Sequence, residues 1–275
     1  MRATSAFSHE DVKYFNFGYN PISKPTLFSF IFYIDGLLID TGQAKMRKQI
    51  QQTLAELDVD QIFITHHHED HSGNIEPLKN QFDCPVYAPN KCCDLMKAPP
   101  PLSFAQKLVW GSRPAYRELK PEDYQIKTNQ YNFEIIPIPG HAPDMVALFE
   151  REKGWLFSAD LYINAYIGYY LKDESIAQQI QSIKTVLALD FEVMFCSHNL
   201  HFDNGKEVLK NKLQYLQDFS GKVVRLHQQG LKPKEIFKSL GLKEHGFINL
   251  ISHGELSKLN MVKSAVRDYE NGSLT

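Results

Sequence analysis

Short apolar runs, each closed by a polar or turn-forming residue, recur along the first two hundred positions of this chain. Phe28 to Ile34 and Leu37 to Ile39 are two such runs. Asp35-Gly36 separates them, a pair suited to the positive-φ turn of a two-residue hairpin, so two strands are expected up to Asp40. After Asp40-Thr41-Gly42 the spacing becomes helical over 44–58, with Ile50, Leu54 and Leu57 on one face and Lys and Gln on the other. Gln61-Ile62-Phe63-Ile64 is too short for a helix and reads as a buried strand. Ser72-Gly73-Asn74-Ile75-Glu76 can cap and start a helix, and Pro85 to Ala88 is a further short strand. Strands are also expected at 133–138, 145–149, 155–157 and 193–196, with a helix near 175–188. From about Gly205 the pattern turns helical, over 206–229, 233–240 and 256–270, Pro233 marking one start. The stretch 96–125, with Pro99-Pro100-Pro101, Trp110, Pro114 and Tyr116, is more irregular. It reads as an insertion that roofs a pocket.

The apolar runs share an ending. Four of them give way to a potential metal ligand: His66 onward, His141, Asp160 and His198. Strand ends are where a rigid sheet presents chemistry on loops. The densest case is Thr65-His66-His67-His68-Glu69-Asp70-His71, which contains His-x-His-x-Asp-His. Histidines two apart on an extended segment point to the same side, so His66 and His68 can reach one cation together. Asp70 and His71 follow as the chain turns and can address a second. A lone histidine would be read as structural, and expression tags sit at termini without interleaved acids. This internal block behind a strand points instead to a metal site.

Composition narrows the partners. The chain has 275 residues, 43% apolar and 23% charged, as in an ordinary soluble domain. A net charge of −2 gives no electrostatic reason to expect nucleic-acid binding. No apolar span is long enough to cross a bilayer, and no apolar segment follows Met1-Arg2-Ala3-Thr4-Ser5, so a cytoplasmic protein is expected. Cys84, Cys92, Cys93 and Cys196 suit neither a disulfide framework nor a zinc knuckle and read as reduced thiols. The remaining histidines, His9, His201, His227, His245 and His253, have no partner spacing.

Taken together, Asp40 in Leu-Ile-Asp-Thr-Gly, the block from His66 to His71, His141 in Pro-Gly-His-Ala-Pro, Asp160 in Ser-Ala-Asp and His198 in Cys-Ser-His resemble the metallo-β-lactamase superfamily, in its motif order. The resemblance implies an α/β fold, a four-layer αββα sandwich with two metals at one edge. This catalytic domain would span 1–204, with a C-terminal helical extension over 205–275. It implies that His66, His68 and His141 hold one metal, that Asp70, His71 and His198 hold the other, and that Asp160 bridges them. Asp40 would orient the ligand loop without ligating. His67 would face away, and Glu69 would sit behind the ligands or in solvent.

Such donors suit two divalent ions, zinc foremost, with iron or manganese accepting similar sets. The expected reaction is hydrolysis of an ester, lactone, thioester or phosphodiester bond by a metal-bridging hydroxide, Asp70 orienting the nucleophile and relaying a proton. Exported β-lactamases of the superfamily lack the bridging aspartate. Flavodiiron proteins carry a glutamate where this chain has His68, and transfer-RNA processing members bring a basic arm that is not found here. A mononuclear-iron persulfide dioxygenase is the alternative from another reaction class. A departure from the family at His141-Ala142-Pro143-Asp144 weakens a specific assignment to glyoxalase II. Asp144 is read there as a partner of a ligand histidine or a turn acid. Tyr162 and Tyr166, in the aromatic run after Asp160, are candidate substrate contacts. A small-molecule substrate and a homodimer are expected. The segment 230–268 has a helix-turn-helix look, but its lysines are interspersed with acids, so DNA binding by the tail is the lesser alternative.

Overall fold

The computed structural model describes residues 1–25, 27–244, 252 and 254–274. Its first sheet runs in chain order: β1 (Arg2–His9), β2 (Val12–Tyr19), β3 (Phe28–Ile34), β4 (Leu37–Ile39), β5 (Gln61–Phe63), β6 (Val86–Ala88) and β7 (Lys120–Pro121). Pairing is antiparallel through β4, because each connection is a turn or a short loop. Asp35 at φ 45° and Gly36 at φ 80° make the tight β3–β4 turn that the Asp-Gly pair favours. From β4 to β7 the strands are parallel, and helices supply the crossovers. These are α1 (Arg47–Leu54), α2 (Glu69–Ser72), α3 (Ile75–Phe82), α4 (Asn90–Lys97) and α5 (Phe104–Val109).

The second sheet contains β8 (Gln125–Lys127), β9 (Asn132–Pro137), β10 (Val146–Glu150), β11 (Trp155–Ala159), β12 (Val193–Cys196) and β13 (Leu200–His201), in the order β13-β12-β11-β10-β9-β8. Only β11 and β12 are parallel, and α6 (Ile176–Leu187) bridges them. Between the sheets lies a dry core of Phe32, Leu37, Ile39 and Phe63 against Phe133, Trp155, Phe157 and Phe195. The Phe157 and Phe195 rings stack at 4.7 Å and Phe32 meets Phe157 edge-on at 5.4 Å. Alternation sends Leu38 and Ile62 to the opposite face, onto Ile50, Leu54, Leu78 and Met96 of α1, α3 and α4.

The outer face of the second sheet packs on α6 and on α7 (Gly205–Gln228), α8 (Pro233–Ser239) and α9 (Lys258–Glu270). The layers are therefore helix, sheet, sheet and helix, with the C-terminal helices in the fourth. Among the described residues no helix is long and apolar enough to cross a membrane.

Several local features differ from the sequence expectations. The β1–β2 hairpin has no counterpart in them, because β1 is an exposed edge strand without apolar alternation. The helix expected over 44–58 is a 3₁₀ turn at Ala44–Met46 followed by α1, and Leu57 is only half-buried beyond its end. Within 96–125 a complete capping box, Ser103 with Gln106, starts α5. All four cysteines are free and buried. His9 stacks on Phe202, and His227 lies 3.2 Å from Glu270. His245 and His253 lie outside the described residues.

Candidate metal centre

Four strands deliver the site to one edge of the sandwich. Asp40 follows β4, the histidine block follows β5, Asp160 follows β11 and His198 lies just beyond β12. His141 comes from the loop between β9 and β10. The two sheets are tied together there, Val146 N donating to Thr65 O at 3.1 Å and Phe30 N to Ser197 O at 2.8 Å. Asp40 at φ 64° and Ala159 at φ 44° are non-glycine residues in the left-handed region, and each marks the bend where a strand hands over to the site.

The fold brings together all seven side chains expected to ligate. His66, His68 and His141 form one group of converging donors, and Asp70, His71, Asp160 and His198 form the other. Asp160 touches both: its carboxylate lies 3.3 Å from His141 Nε2 and 3.2 Å from the Nε2 atoms of His71 and His198. Asp70 Oδ2 lies 3.2 Å from His198 Nε2.

These residues fit divalent cations on the structure's own terms. His66 Nε2 is buried without a hydrogen-bond partner, which costs free energy unless something else meets it, while His71 Nε2 and Asp160 Oδ1 face each other at 3.2 Å. His68 Nδ1 and His141 Nε2 approach to 3.0 Å, a contact that leaves at least one lone pair directed inward. The outward nitrogens are engaged: His71 Nδ1 lies 2.7 Å from Asp40 Oδ2, and His198 Nδ1 lies 2.6 Å from Phe28 O. That pattern anchors each ring from outside and turns its Nε2 toward the centre, as ligand histidines require. Burial, reinforced by neighbouring imidazoles, holds His66 and His68 well below the usual histidine range, so both are neutral donors near pH 7. Burial opposes charge on His141 and His71 too. There the carboxylates outweigh it, Glu174 and Asp160 lifting His141 to about 10 and Asp160, Asp40 and Asp70 raising His71.

Around the donors stands a hydrogen-bonded frame, partly foreseen. Asp40 does not join either donor group; it accepts from Thr65 N at 2.8 Å and from Thr65 Oγ1 at 2.9 Å besides holding His71. Asp144 serves a histidine outside the donor groups: it accepts from His67 N at 2.8 Å and lies 2.7 Å from His67 Nδ1. This turns His67 away from the centre. Glu69 is buried in the cavity wall, 3.9 Å from Arg113. Burial, with Asp70 beside it, pushes Glu69 up to about 7.

Tyr162 is not a cavity contact. It is buried in the apolar cluster beneath the second sheet, its ring 4.9 Å from His201, because the bend at Ala159 turns the chain back into the core. Tyr166 does line the cavity and is 74% exposed. Trp110 lines it as well, 6.2 Å from the His198 ring, whereas Tyr116 packs with the first sheet's helices.

Three buried polar residues escaped the sequence reading. Arg113 donates to His67 O at 3.0 Å and braces the histidine loop. Glu174 lies 3.6 Å from His141 Nδ1 and accepts from Gln179 Nε2 at 2.7 Å. Lys212 on α7 donates to Leu161 O at 2.7 Å, directly after Asp160. None belongs to a motif, and each meets its partner only through the fold.

The chain is similar to known proteins in sequence and in fold. The family model described as the metallo-beta-lactamase superfamily matches residues 27–198. A protein named hydroxyacylglutathione hydrolase from Bdellovibrio bacteriovorus is 29% identical over 144 residues, covering 52% of this chain and 50% of that protein. One of the same name from Aeromonas hydrophila is 27% identical over 241 residues, covering 86% and 85%. Thus the chain spans half of the first relative and most of the second. Among solved structures, a beta-lactamase domain protein from Burkholderia ambifaria shares the fold with a TM-score of 0.71 at 14% identity, over 97% of this chain and 88% of that one. Motif order, layer architecture and a family match running from just before β3 to His198 agree, and the chain belongs to the metallo-β-lactamase superfamily.

Proposed function

We propose that this protein is a metal-dependent hydrolase acting on an ester, lactone, thioester or phosphodiester bond of a small molecule. The observation that carries the reading is the pair of donor groups joined by Asp160, which reaches His141 at 3.3 Å, with His66 Nε2 buried and unpartnered. His66, His68 and His141 would hold one divalent cation, Asp70, His71 and His198 the other, and Asp160 both. When bound, such ions, zinc foremost and iron or manganese next, supply a water acidified toward a pKa of about 7 and polarise the scissile oxygen.

The chain's own groups do the rest. Asp70, 3.2 Å from His198, orients the attacking water and passes a proton to the leaving group. Asp40 and Glu174 hold His71 and His141 in register from behind. No serine or cysteine nucleophile is needed, and attack by water leaves no covalent enzyme intermediate. The relatives named hydroxyacylglutathione hydrolase support the hydrolytic class, and we place the protein in the cytoplasm.

Elemental analysis of protein purified without added metal or chelator tests the reading. Two zinc or manganese ions per chain, with turnover of at least one of the four bond types, are expected. A single iron per chain with little zinc would move the assignment to sulfur oxygenation. No metal even after reloading would overturn the enzyme reading.

A further inference from the structure

The cavity over the donors, about 390 Å³, has walls of two kinds. Trp110 from the insertion, with Ile163, Ile167 and Leu171 from the segment after Asp160, supplies apolar lining, and Tyr166 and Tyr169 from the same segment line the cavity too. Because Trp110 lies 6.2 Å from the His198 ring, this apolar wall begins at the metal centre itself. The polar side carries acids: Glu69 and Glu174 line it, and both are buried.

Cations are nearly missing from the walls. Histidines aside, Lys212 is the one basic side chain among the described residues lining the cavity, and its buried Nζ already donates to Leu161 O at 2.7 Å. Arg113 faces Glu69 but lies behind the wall, donating to His67 O and Pro100 O. A substrate with carboxylates at its far end, as in a glutathione thioester, would meet Glu69 and Glu174 with no cationic side chain free to pair with it away from the donor groups. An alkyl arm meets matching surface and strands no polar group.

We propose that the site takes an uncharged acyl compound: an ester, lactone or neutral thioester of a medium-chain apolar acid. Its carbonyl sits at His68, Asp70, Asp160 and His198, and its arm lies along Trp110, Ile163, Ile167 and Leu171. The reacting carbonyl rests on the hydrolase reading above, whereas the arm rests on the cavity wall alone. Substrate choice thus departs from that of the relatives named for hydroxyacylglutathione.

Two measurements on the full-length, metal-loaded protein separate these parts. The first is kcat/KM for acetyl, butanoyl, hexanoyl and octanoyl esters of one alcohol, beside a hydroxyacylglutathione. We expect a rise of about fourfold per added methylene up to the hexanoyl ester. The glutathione thioester should lie about a hundredfold or more below hexanoyl. The second is calorimetric binding of 2-butanone, 2-hexanone and 2-octanone, which cannot be hydrolysed. Affinity should climb with length in the wild type and lose that dependence in Ile163→Asp. A flat ester series, or the glutathione thioester turned over fastest, overturns the substrate class and leaves the hydrolase standing. Length-dependent ketone binding without turnover of any ester, lactone, thioester or phosphodiester supports the acyl pocket and overturns the hydrolase. Ketone affinity independent of length overturns the inference whatever the kinetics show.

Discussion

At the scale of single residues, the centre depends on which nitrogen of each histidine carries the proton. Asp40 Oδ2, 2.7 Å from His71 Nδ1, holds a proton on the outside and turns Nε2 toward Asp160 and the centre. Asp40→Asn keeps the shape, but it removes the charge and can turn an amide toward Thr65 N, which now donates to the carboxylate. Losing such an outer partner weakens cation binding by about 10–100-fold. We expect that loss at one of two sites, read by competition with a chromophoric chelator, with Tm of the metal-free protein lowered only slightly. An unaltered affinity would show that His71 does not ligate. The donor residues were readable in the sequence because their spacing is covalent: two positions on a strand fix two side chains to one side. Asp144 and His67 lie 77 residues apart, and nothing in either neighbourhood predicts their pairing. Tyr162 shows the reverse error. Two positions from Asp160 along the chain, it points elsewhere because Ala159 bends at φ 44°.

At the scale of elements, the ligand loop is a jammed junction between α2 and α3. A Cβ on Gly73 would stand 2.5 Å from Glu69 O, 2.8 Å from Ala44 N and 2.9 Å from Gly42 O, all backbone atoms that cannot swing aside. The next residue completes the lock: Asn74 Nδ2 donates to the carbonyls of Thr41, Gly42 and Gln43 at 3.0–3.1 Å. The Asn-Ile start of α3 was visible as a cap signal, yet the asparagine side chain caps nothing in α3 and ties the loop to the segment after β4 instead. Gly73→Ala is therefore expected to destabilise the fold by about 1–3 kcal/mol. It should also lower metal content, since α2, which ends directly before Gly73, carries Asp70 and His71. Thermal unfolding and elemental analysis of one preparation check both, and a wild-type Tm with full metal would show that the junction yields. Strands with apolar runs, such as β3 to β5, were readable because burial imposes their composition. The β1–β2 hairpin was not, since an edge strand facing solvent has no such constraint.

At the scale of the whole molecule, the change of pattern near residue 204 marks a change from alternating elements to helices, but packing continues across it. Leu209, Leu216, Phe219, Val223, Ile236, Met261 and Val262 of the last three helices share one apolar cluster with α6 and the second sheet. Each such side chain contributes about 1.5–3 kcal/mol on burial before conformational entropy is counted, so their joint loss is large against the marginal stability of a domain. The tail also reaches the centre by hydrogen bonds. Lys212 fixes Leu161 beside Asp160, while Ser264 Oγ and Arg267 Nη2 donate to Glu174 O at 2.8 and 2.6 Å, steadying the residue behind His141. Asp268 accepts from Ala177 N at the start of α6, where a negative charge meets the helix dipole favourably. A chain ending at residue 204 should consequently neither unfold cooperatively nor retain metal. Lys212→Met in the full chain, which strands the Leu161 carbonyl, should keep the fold yet weaken cation binding, with Lys212→Arg recovering part of it. Circular dichroism melts and metal titrations of the three proteins decide the point. A 204-residue chain that melts and binds metal like the whole would make the helices a mere appendage, whereas loss of both makes the fourth layer part of the site's foundation.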